Sequence, residues 1–475
     1  MAAQSTGNIN AEPLEDRGTA DERGTGLDAL FSPKSIALIG ATDREGSVGL
    51  ALAKNLGAFP GTLFFINANK PSVCGRAAYS NLASIEESAQ VDLAVIATPA
   101  ARVPATLREC AQAGVKAAIV ISAGFREAGS SGAELEREML FEAARGGIRI
   151  LGPNCLGLMS PHASINATFA AGPARPGTLA FISQSGALCT AILDWSLGER
   201  VGFSGFVSLG SMSDVGWSDL IRHFSKDPNT HGIVMYMESI DGVAQFIDAA
   251  LETVPRKPII AIKVGRTKEA ARAAASHTGA LTGDDAIIDA LLHRAGVIRV
   301  DSIEELFDTA ELLSKTASAP PKGANLAVLT NAGGPAALAT DSLIRSGGRL
   351  CQLNESTIQT LNTLLPAHWS HGNPIDILGD ADADRYAHSL RTILADPHTN
   401  GALVILTPQS MTQSLATAQA IIEIQRAAAK PVFASWMGGE NVAAGRELLN
   451  EAGIATFDYP DEAARAWMLL WSREA

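Results

Sequence analysis

The chain has 475 residues, of which 47% are hydrophobic, 18% charged and 5% aromatic, with 44 glycines. That supply of apolar material excludes a largely disordered chain and suits about three domains at roughly 150 residues each, built as α/β layers rather than β-sandwiches. A net charge of −13 makes nucleic acid a poor partner. No apolar run approaches the ~18 residues of a membrane span, and the first ten residues lack the basic and apolar segments of a secretory signal. The five cysteines (Cys74, Cys110, Cys155, Cys189, Cys351) are scattered without a CxxC pair. They fit a reducing, cytoplasmic compartment and exclude a cysteine zinc site.

Residues 1–26 are polar, Gly-rich and acidic, too poor in apolar surface to order, and are expected to be a disordered tail. From Leu27 short β-rich runs at 35–39, 63–66, 93–97, 117–121 and 148–151 alternate with helically spaced stretches such as 102–113 and 133–144. Alternation of this kind predicts a parallel sheet with helices on both faces, over 27–158. Pro and Gly cluster at 161–176 and mark a boundary.

An internal repeat follows. Leu179-Ala-Phe-Ile-Ser-Gln-Ser-Gly-Ala-Leu188 resembles Leu326-Ala-Val-Leu-Thr-Asn-Ala-Gly-Gly-Pro335. The landmarks Asp227/Asp396, Lys257/Lys430 and Ala295/Ala452 then recur in the same order. Two homologous α/β domains are expected, 170–315 and 325–475, joined through Pro320 and Pro321. Each copy carries an insertion of its own. The first includes Ser276-His277-Thr278-Gly279-Ala280, and the second includes Ser370-His371-Gly372-Asn373-Pro374-Ile375-Asp376. Loops on a rigid scaffold are where function concentrates.

Three groups of residues carry candidate chemistry. In Gly40-Ala41-Thr42-Asp43-Arg44-Glu45-Gly46-Ser47-Val48-Gly49 a Gly-rich turn feeds a helix, so backbone N–H groups can approach a phosphate. The glycine spacing is not that of the dinucleotide fingerprint, and the second strand ends in Asn67-Ala68-Asn69-Lys70 rather than in a ribose-binding acid. A phosphorylated nucleotide other than NAD is favoured over a nicotinamide dehydrogenase, and coenzyme A fits. A purely structural turn with a solvated lysine is the bland alternative. Ser183-Gln184-Ser185-Gly186 and Asn331-Ala332-Gly333-Gly334 each open a helix after a strand. Either alone would be an ordinary helix start; duplicated, they can hold a phosphoryl group at two stations. His277, in a loop present in one copy only, is a candidate phosphorus nucleophile, with Glu238 the nearest acceptor to orient it. Cys155, in Gly152-Pro153-Asn154-Cys155, reads as a buried thiol before it reads as a nucleophile.

Taken together, Gly40-Ala-Thr-Asp, Gly152-Pro-Asn-Cys-Leu-Gly, Ser183-Gln-Ser-Gly-Ala, Met237-Glu238, Ser276-His-Thr-Gly-Ala-Leu, Asn331-Ala-Gly-Gly-Pro and Asn373-Pro-Ile-Asp resemble the nucleoside-diphosphate-forming acyl-CoA synthetases over about residues 27–475. The resemblance implies a Rossmann-like CoA-binding domain followed by two flavodoxin-like domains, as in an alpha subunit of the ADP-forming enzymes. It implies His277 as phosphohistidine, Glu238 as the residue that steadies it, and Ser185, Gly186, Gly333 and Gly334 as phosphate stations. It further implies coenzyme A at Gly40, Thr42, Asp43, Gly46, Lys70 and Ser122, and the acyl substrate near Asn154 and Asn373. No length remains for the family's ATP-grasp nucleotide site after three domains. A beta subunit or fused domain carrying ATP/ADP with Mg2+ is therefore expected, in an oligomeric assembly that acts on a small carboxylic acid. A non-catalytic acyl-CoA sensor is the rival reading, and an intact His277 with Glu238 counts against it.

Overall fold

The structure, a computed structural model, describes residues 24–86, 90–270, 272, 284–316 and 323–471. The first sheet runs, edge to edge, Ser72–Val73, Arg76–Tyr79, Thr62–Ile66, Ser35–Ile39, Leu93–Ile96, Ala117–Val120 and Arg149–Leu151. It is parallel except at the short Ser72–Val73/Arg76–Tyr79 pair. Strands such as Ser35–Ile39 are buried along their whole length, which is why they read as unbroken apolar runs rather than alternating ones. Ser35–Ile39 lies between Thr62–Ile66 and Leu93–Ile96. The strand order reverses there, so a crevice opens beyond its carboxyl end, where Gly40 begins.

The second sheet is ordered Ile298–Val300, Ile259–Lys263, Gly232–Met237, Pro176–Ser183, Phe203–Ser208, Gly157–Ser160 and Ile165–Thr168. Its first five strands are parallel. The third sheet is ordered Ile375–Asp376, Leu326–Thr330, Gly401–Leu406, Val432–Trp436 and Thr456–Phe457, all parallel. Numbered along the chain, both parallel sets have the order 2-1-3-4-5 of the flavodoxin-like arrangement. The repeated landmarks have a common structural cause. Lys257 Nζ donates to Phe224 O and Asp227 O at 2.8 and 2.6 Å, and Lys430 Nζ donates to Leu394 O and Asp396 O at 2.8 and 2.5 Å. Each lysine thus closes the carbonyl end of a helix in its own copy.

Three local features differ from the sequence reading. Gly24–Phe31 is a helix, so the last residues of the expected tail, with Gly26 buried, belong to the folded part. Gly157–Ser160 and Ile165–Thr168, around the Pro- and Gly-rich boundary, form an antiparallel hairpin that extends the second sheet through Phe203–Ser208. In the second copy the extra length includes a helix, Glu355–Leu364.

The sheets share cores. One cluster combines Leu38, Val95 and Leu151 of the first sheet with Val207, Met235 and Trp217. Another combines Phe181, Phe206 and Leu306 with Val328, Phe433 and Trp467 of the third. Arg149, on the last strand of the first sheet, pairs with Asp214 and Asp219 at 3.0 and 3.1 Å. That contact fixes the first sheet against the second.

Candidate active site

The first-sheet crevice is built by backbone that has no room for a side chain. Gly40 has φ +97, and a Cβ there would lie 2.6 Å from Ala97 O across the switch point. Ser47 caps the helix Val48–Asn55 by accepting from Leu50 N at 3.3 Å, which leaves the helix start facing the crevice. Asn67 braces the loop: its Nδ2 donates to Ala41 O at 2.8 Å while its Oδ1 accepts from Asn69 N and Lys70 N at 2.8 and 3.0 Å. Lys70 is thereby aimed across the loop, where its ammonium pairs with Asp43. The hydrogen bond from Lys70 holds the Asp43 carboxyl below the usual carboxylate range. Thr42 Oγ1 accepts from Arg44 N at 3.3 Å, and the space beside Gly46 is open. Ser122, past Ala117–Val120, donates its hydroxyl to Thr98 O. The structure therefore gathers Gly40, Thr42, Asp43, Gly46, Lys70 and Ser122 along the carboxyl edge of one sheet. Small backbone-lined turns, a helix start and a lysine suit a phosphate-bearing ligand such as coenzyme A.

That edge runs directly into the second sheet. Asn154, exposed and at φ +55, donates its N–H to Ser122 O at 2.9 Å. From the other side Ser211 N and Ser213 N donate to Pro153 O and Gly152 O at 2.9 and 3.1 Å. The approach is so close that a side chain at Gly210 would collide with the Pro153 and Asn154 carbonyls. Leu156 N then donates to Ser208 Oγ at 3.0 Å, and Leu156 lies beside Gly186. The segment from Asn154 to Leu156 thus runs from the first-sheet crevice to the helix start at Ser185–Gly186.

Ser185 caps the helix Gly186–Gly198, accepting from Leu188 N at 3.3 Å. The buried Gln184 amide accepts from the backbone N–H groups of Glu238 and Ser239 at 2.6 and 2.9 Å. Glu238, itself buried, is held at the end of Gly232–Met237 beside the same turn. Lys263, at the end of the neighbouring strand, is buried as well; burial pushes its ammonium below the ordinary lysine range, and Glu238 is among the charges acting on it.

The other copy repeats the turn with altered chemistry. Thr330 Oγ1 bonds Ala332 N and O as Ser183 Oγ bonds Ser185 N and O. Asn331 occupies the place of Gln184 and ties to Thr407 N at 2.9 Å. Ala332 supplies no side-chain cap to Gly333–Arg345, and the space at Gly334 is open. Asn373, expected near substrate, spends its amide on the fold: Oδ1 accepts from Val328 N at 2.9 Å, and Nδ2 donates to Leu326 O and Cys351 O at 2.9 and 3.0 Å. It stitches the segment before Ile375–Asp376 onto the sheet edge, which leaves neither amide hydrogen for a ligand. His371 likewise bonds Asn362 Oδ1 and Ala367 O at 2.8 and 3.1 Å.

His277 lies outside the described residues. Cys155 is buried against Val120 O, and burial pushes its thiol up to about 12; a thiol of this kind is inert. Among the described residues no group of three or more His, Cys, Asp or Glu is arranged to hold a metal, and no helix is long and apolar enough to cross a membrane. The sequence reading missed Gln184, Ser239 and the Gly210–Ser213 segment. A carboxamide at the same place in both copies was a visible signal for Gln184, whereas the cross-sheet approach of Gly210 left no mark in the sequence.

Residues 34–161 match the CoA binding domain, 176–313 the succinyl-CoA ligase like flavodoxin domain and 326–474 the Ligase-CoA domain. The chain is 37% identical to the alpha subunit of acetate–CoA ligase (ADP-forming) I from Pyrococcus furiosus, over 94% of this chain and 98% of that relative. The chain belongs to the ADP-forming acyl-CoA synthetase family. Within the family it is 40% identical to acetate–CoA ligase (ADP-forming) I from Archaeoglobus fulgidus, over 94% of this chain but 63% of that longer relative. Its fold superposes with TM-score 0.89 and 37% identity on the dinucleotide-forming acetyl-coenzyme A synthetase 1 of Ca. Korarchaeum cryptofilum, solved with phosphate and ADP, covering 94% and 96% of the two chains.

Proposed function

We propose that this chain is the CoA-binding, phosphohistidine-bearing part of an ADP-forming acyl-CoA synthetase acting on a small carboxylic acid. The observation that carries the reading is the junction at Gly152–Leu156, where a phosphate-ready sheet edge meets a capped helix start with Glu238 beside it. A thioester held along the first edge would present its carbonyl near Asn154, while inorganic phosphate would sit at Ser185–Gly186, where free N–H groups and the helix dipole favour an anion. Phosphate oxygen attacks the thioester carbonyl, giving acyl phosphate and the CoA thiol. An imidazole nitrogen of His277 then attacks phosphorus and the carboxylate leaves. ADP finally takes the phosphoryl group from His277, restoring the imidazole and forming ATP.

Glu238 would orient the imidazole and favour its cationic character while phosphorus is bound. Relatives of alpha-subunit length and longer relatives both exist, which supports placing the nucleotide with its Mg2+ on an ATP-grasp subunit or fused domain. The Gly333–Gly334 helix start is the natural second station. The assembly is expected to be oligomeric and to work in the cytoplasm. Mixing the chain with a matching ATP-grasp partner, acetyl-CoA, ADP and phosphate should yield ATP and acetate. ATP formation that persists when this chain is omitted would refute the proposal.

A further inference from the structure

Gln184 follows the strand Pro176–Ser183, and its side chain is directed entirely at one neighbouring segment. Its Oε1 accepts from Glu238 N and Ser239 N at 2.6 and 2.9 Å, and its Nε2 donates to Ser239 Oγ at 2.9 Å. Glu238 and Ser239 lie just past Gly232–Met237, the strand paired with Pro176–Ser183. The buried residue at the matching place in the third sheet is Asn331, again a carboxamide. It accepts from Thr407 N at 2.9 Å and donates to Thr407 O and Gln409 Oε1 at 2.9 and 2.6 Å. The carboxamide tie therefore belongs to the scaffold of both copies. What it positions is a carboxylate, Glu238, only in the copy whose helix start is capped by Ser185.

We propose that Gln184 is the positioning residue for Glu238: by holding two successive backbone N–H groups it sets where the Glu238 carboxylate stands relative to the Ser185–Gly186 helix start. This rests on the functional reading given above. A single carboxamide oxygen shared by adjacent N–H groups fixes the strand end in both direction and rotation, and the Nε2 contact prevents the amide from flipping. The strand end keeps a second tether without Gln184, because Trp217 Nε1 donates to Ser239 O at 3.1 Å. A Gln184 variant should therefore displace Glu238 rather than unfold the sheet.

The test is a double-mutant cycle on the full chain with its ATP-grasp partner, using acetyl-CoA and phosphate and reading kcat, the KM for each substrate and the pH profile. Gln184→Met should lower kcat by about tenfold or more while the KM for acetyl-CoA moves by less than about twofold. In a Glu238→Gln background the same change should cost less than about twofold, because nothing is left to position. Gln184→Glu retains both acceptor contacts but adds a negative charge beside Glu238, so the acidic limb of its pH profile should move upward. Gln184→Asn, too short to reach both N–H groups, carries the cycle if Gln184→Met does not fold. An equal loss in both backgrounds, or wild-type kcat in the variants that lose the acceptor contacts, overturns the positioning role. A Glu238→Gln enzyme of unchanged activity would instead refute the reading on which it rests.

Discussion

Lys70 and Asp43 face each other across the mouth of the Gly40 loop with side chains 45% and 47% exposed. An ion pair so open to water is weak, so a phosphate can displace Asp43 at small cost and take over the ammonium. Asp43→Asn should then tighten CoA binding by a few fold, up to about fivefold, and Lys70→Ala should weaken it, with calorimetry at low and raised salt as the check. Equal affinity of the wild-type chain for CoA and dephospho-CoA would remove the lysine from the phosphate site. At this scale the sequence was informative where chemistry and spacing coincide: the stretch from Gly40 to Gly49 reads as a Gly-rich turn feeding a helix and Lys70 as a cation after the second strand, and both lie at one edge. It was silent at Asn373, because a polar side chain in a family motif looks the same whether it meets a ligand or three backbone groups. The sequence also could not report that the cation already has an internal partner, which depends on how two turns close in space.

The two helix starts differ by a single hydroxyl. Ser185 caps its helix, whereas Ala332, with the extended φ −152 and ψ 126 that a cap requires, supplies no side-chain acceptor. Ser185→Ala should cost about 1 kcal/mol of stability, and Ala332→Ser should add up to about that amount, both measurable by denaturant unfolding. Loss of anion affinity should accompany only the first change if Ser185–Gly186 is the phosphate station. Five strands of the first sheet were legible to within a residue, and the helices Val103–Gln112 and Ser130–Gly146 to within three, because buried parallel strands are continuous apolar runs bounded by turns. The repeat was legible for a different reason: Lys257 and Lys430 must reach the same helix-end carbonyls, so their spacing from Asp227 and Asp396 is fixed. The hairpin Gly157–Ser160/Ile165–Thr168 escaped because strands of four residues around Pro161 carry no periodicity to read, and its pairing is with a distant strand.

The second and third sheets are joined through buried charge. Lys315 pairs with Glu311 at 2.7 Å and donates to Asn450 Oδ1 at 2.6 Å, while Glu311 also accepts from Thr456 N at 2.9 Å. Lys315→Met would leave Glu311 buried without its cation, and should destabilise the chain by about 3–5 kcal/mol. Beside this tie, Trp195, Phe307, Asp308, Glu304 and Glu462 line a cavity of about 500 Å³. Burial, then the carboxylates of Glu462, Glu311 and Glu304, push the Asp308 carboxyl up to about 8 against the opposing Arg465. Burial and the hydrogen bond with Glu304 push Glu462 up to about 7. Native carboxyls with raised values bind protons that the unfolded chain has already lost. Their contribution to stability is therefore greatest below the ordinary carboxylate range near 4, declines as pH rises, and levels once pH passes about 8. Between pH 6 and 8.5 Tm should fall, by about 2–4 °C for each ~1 kcal/mol lost from a domain of roughly 150–250 residues, and Asp308→Asn should flatten the decline.

Across the whole molecule the proposed reaction carries the phosphoryl group through this chain on His277. The direct measurement is incubation of the chain, with and without an ATP-grasp partner, with acetyl-CoA and radiolabelled phosphate, followed by acid and alkali treatment of the isolated protein. A phosphoramidate predicts label that survives alkali, is released by acid, is absent from His277→Ala and is reduced in Glu238→Ala. Undiminished label in His277→Ala would overturn the role proposed for His277.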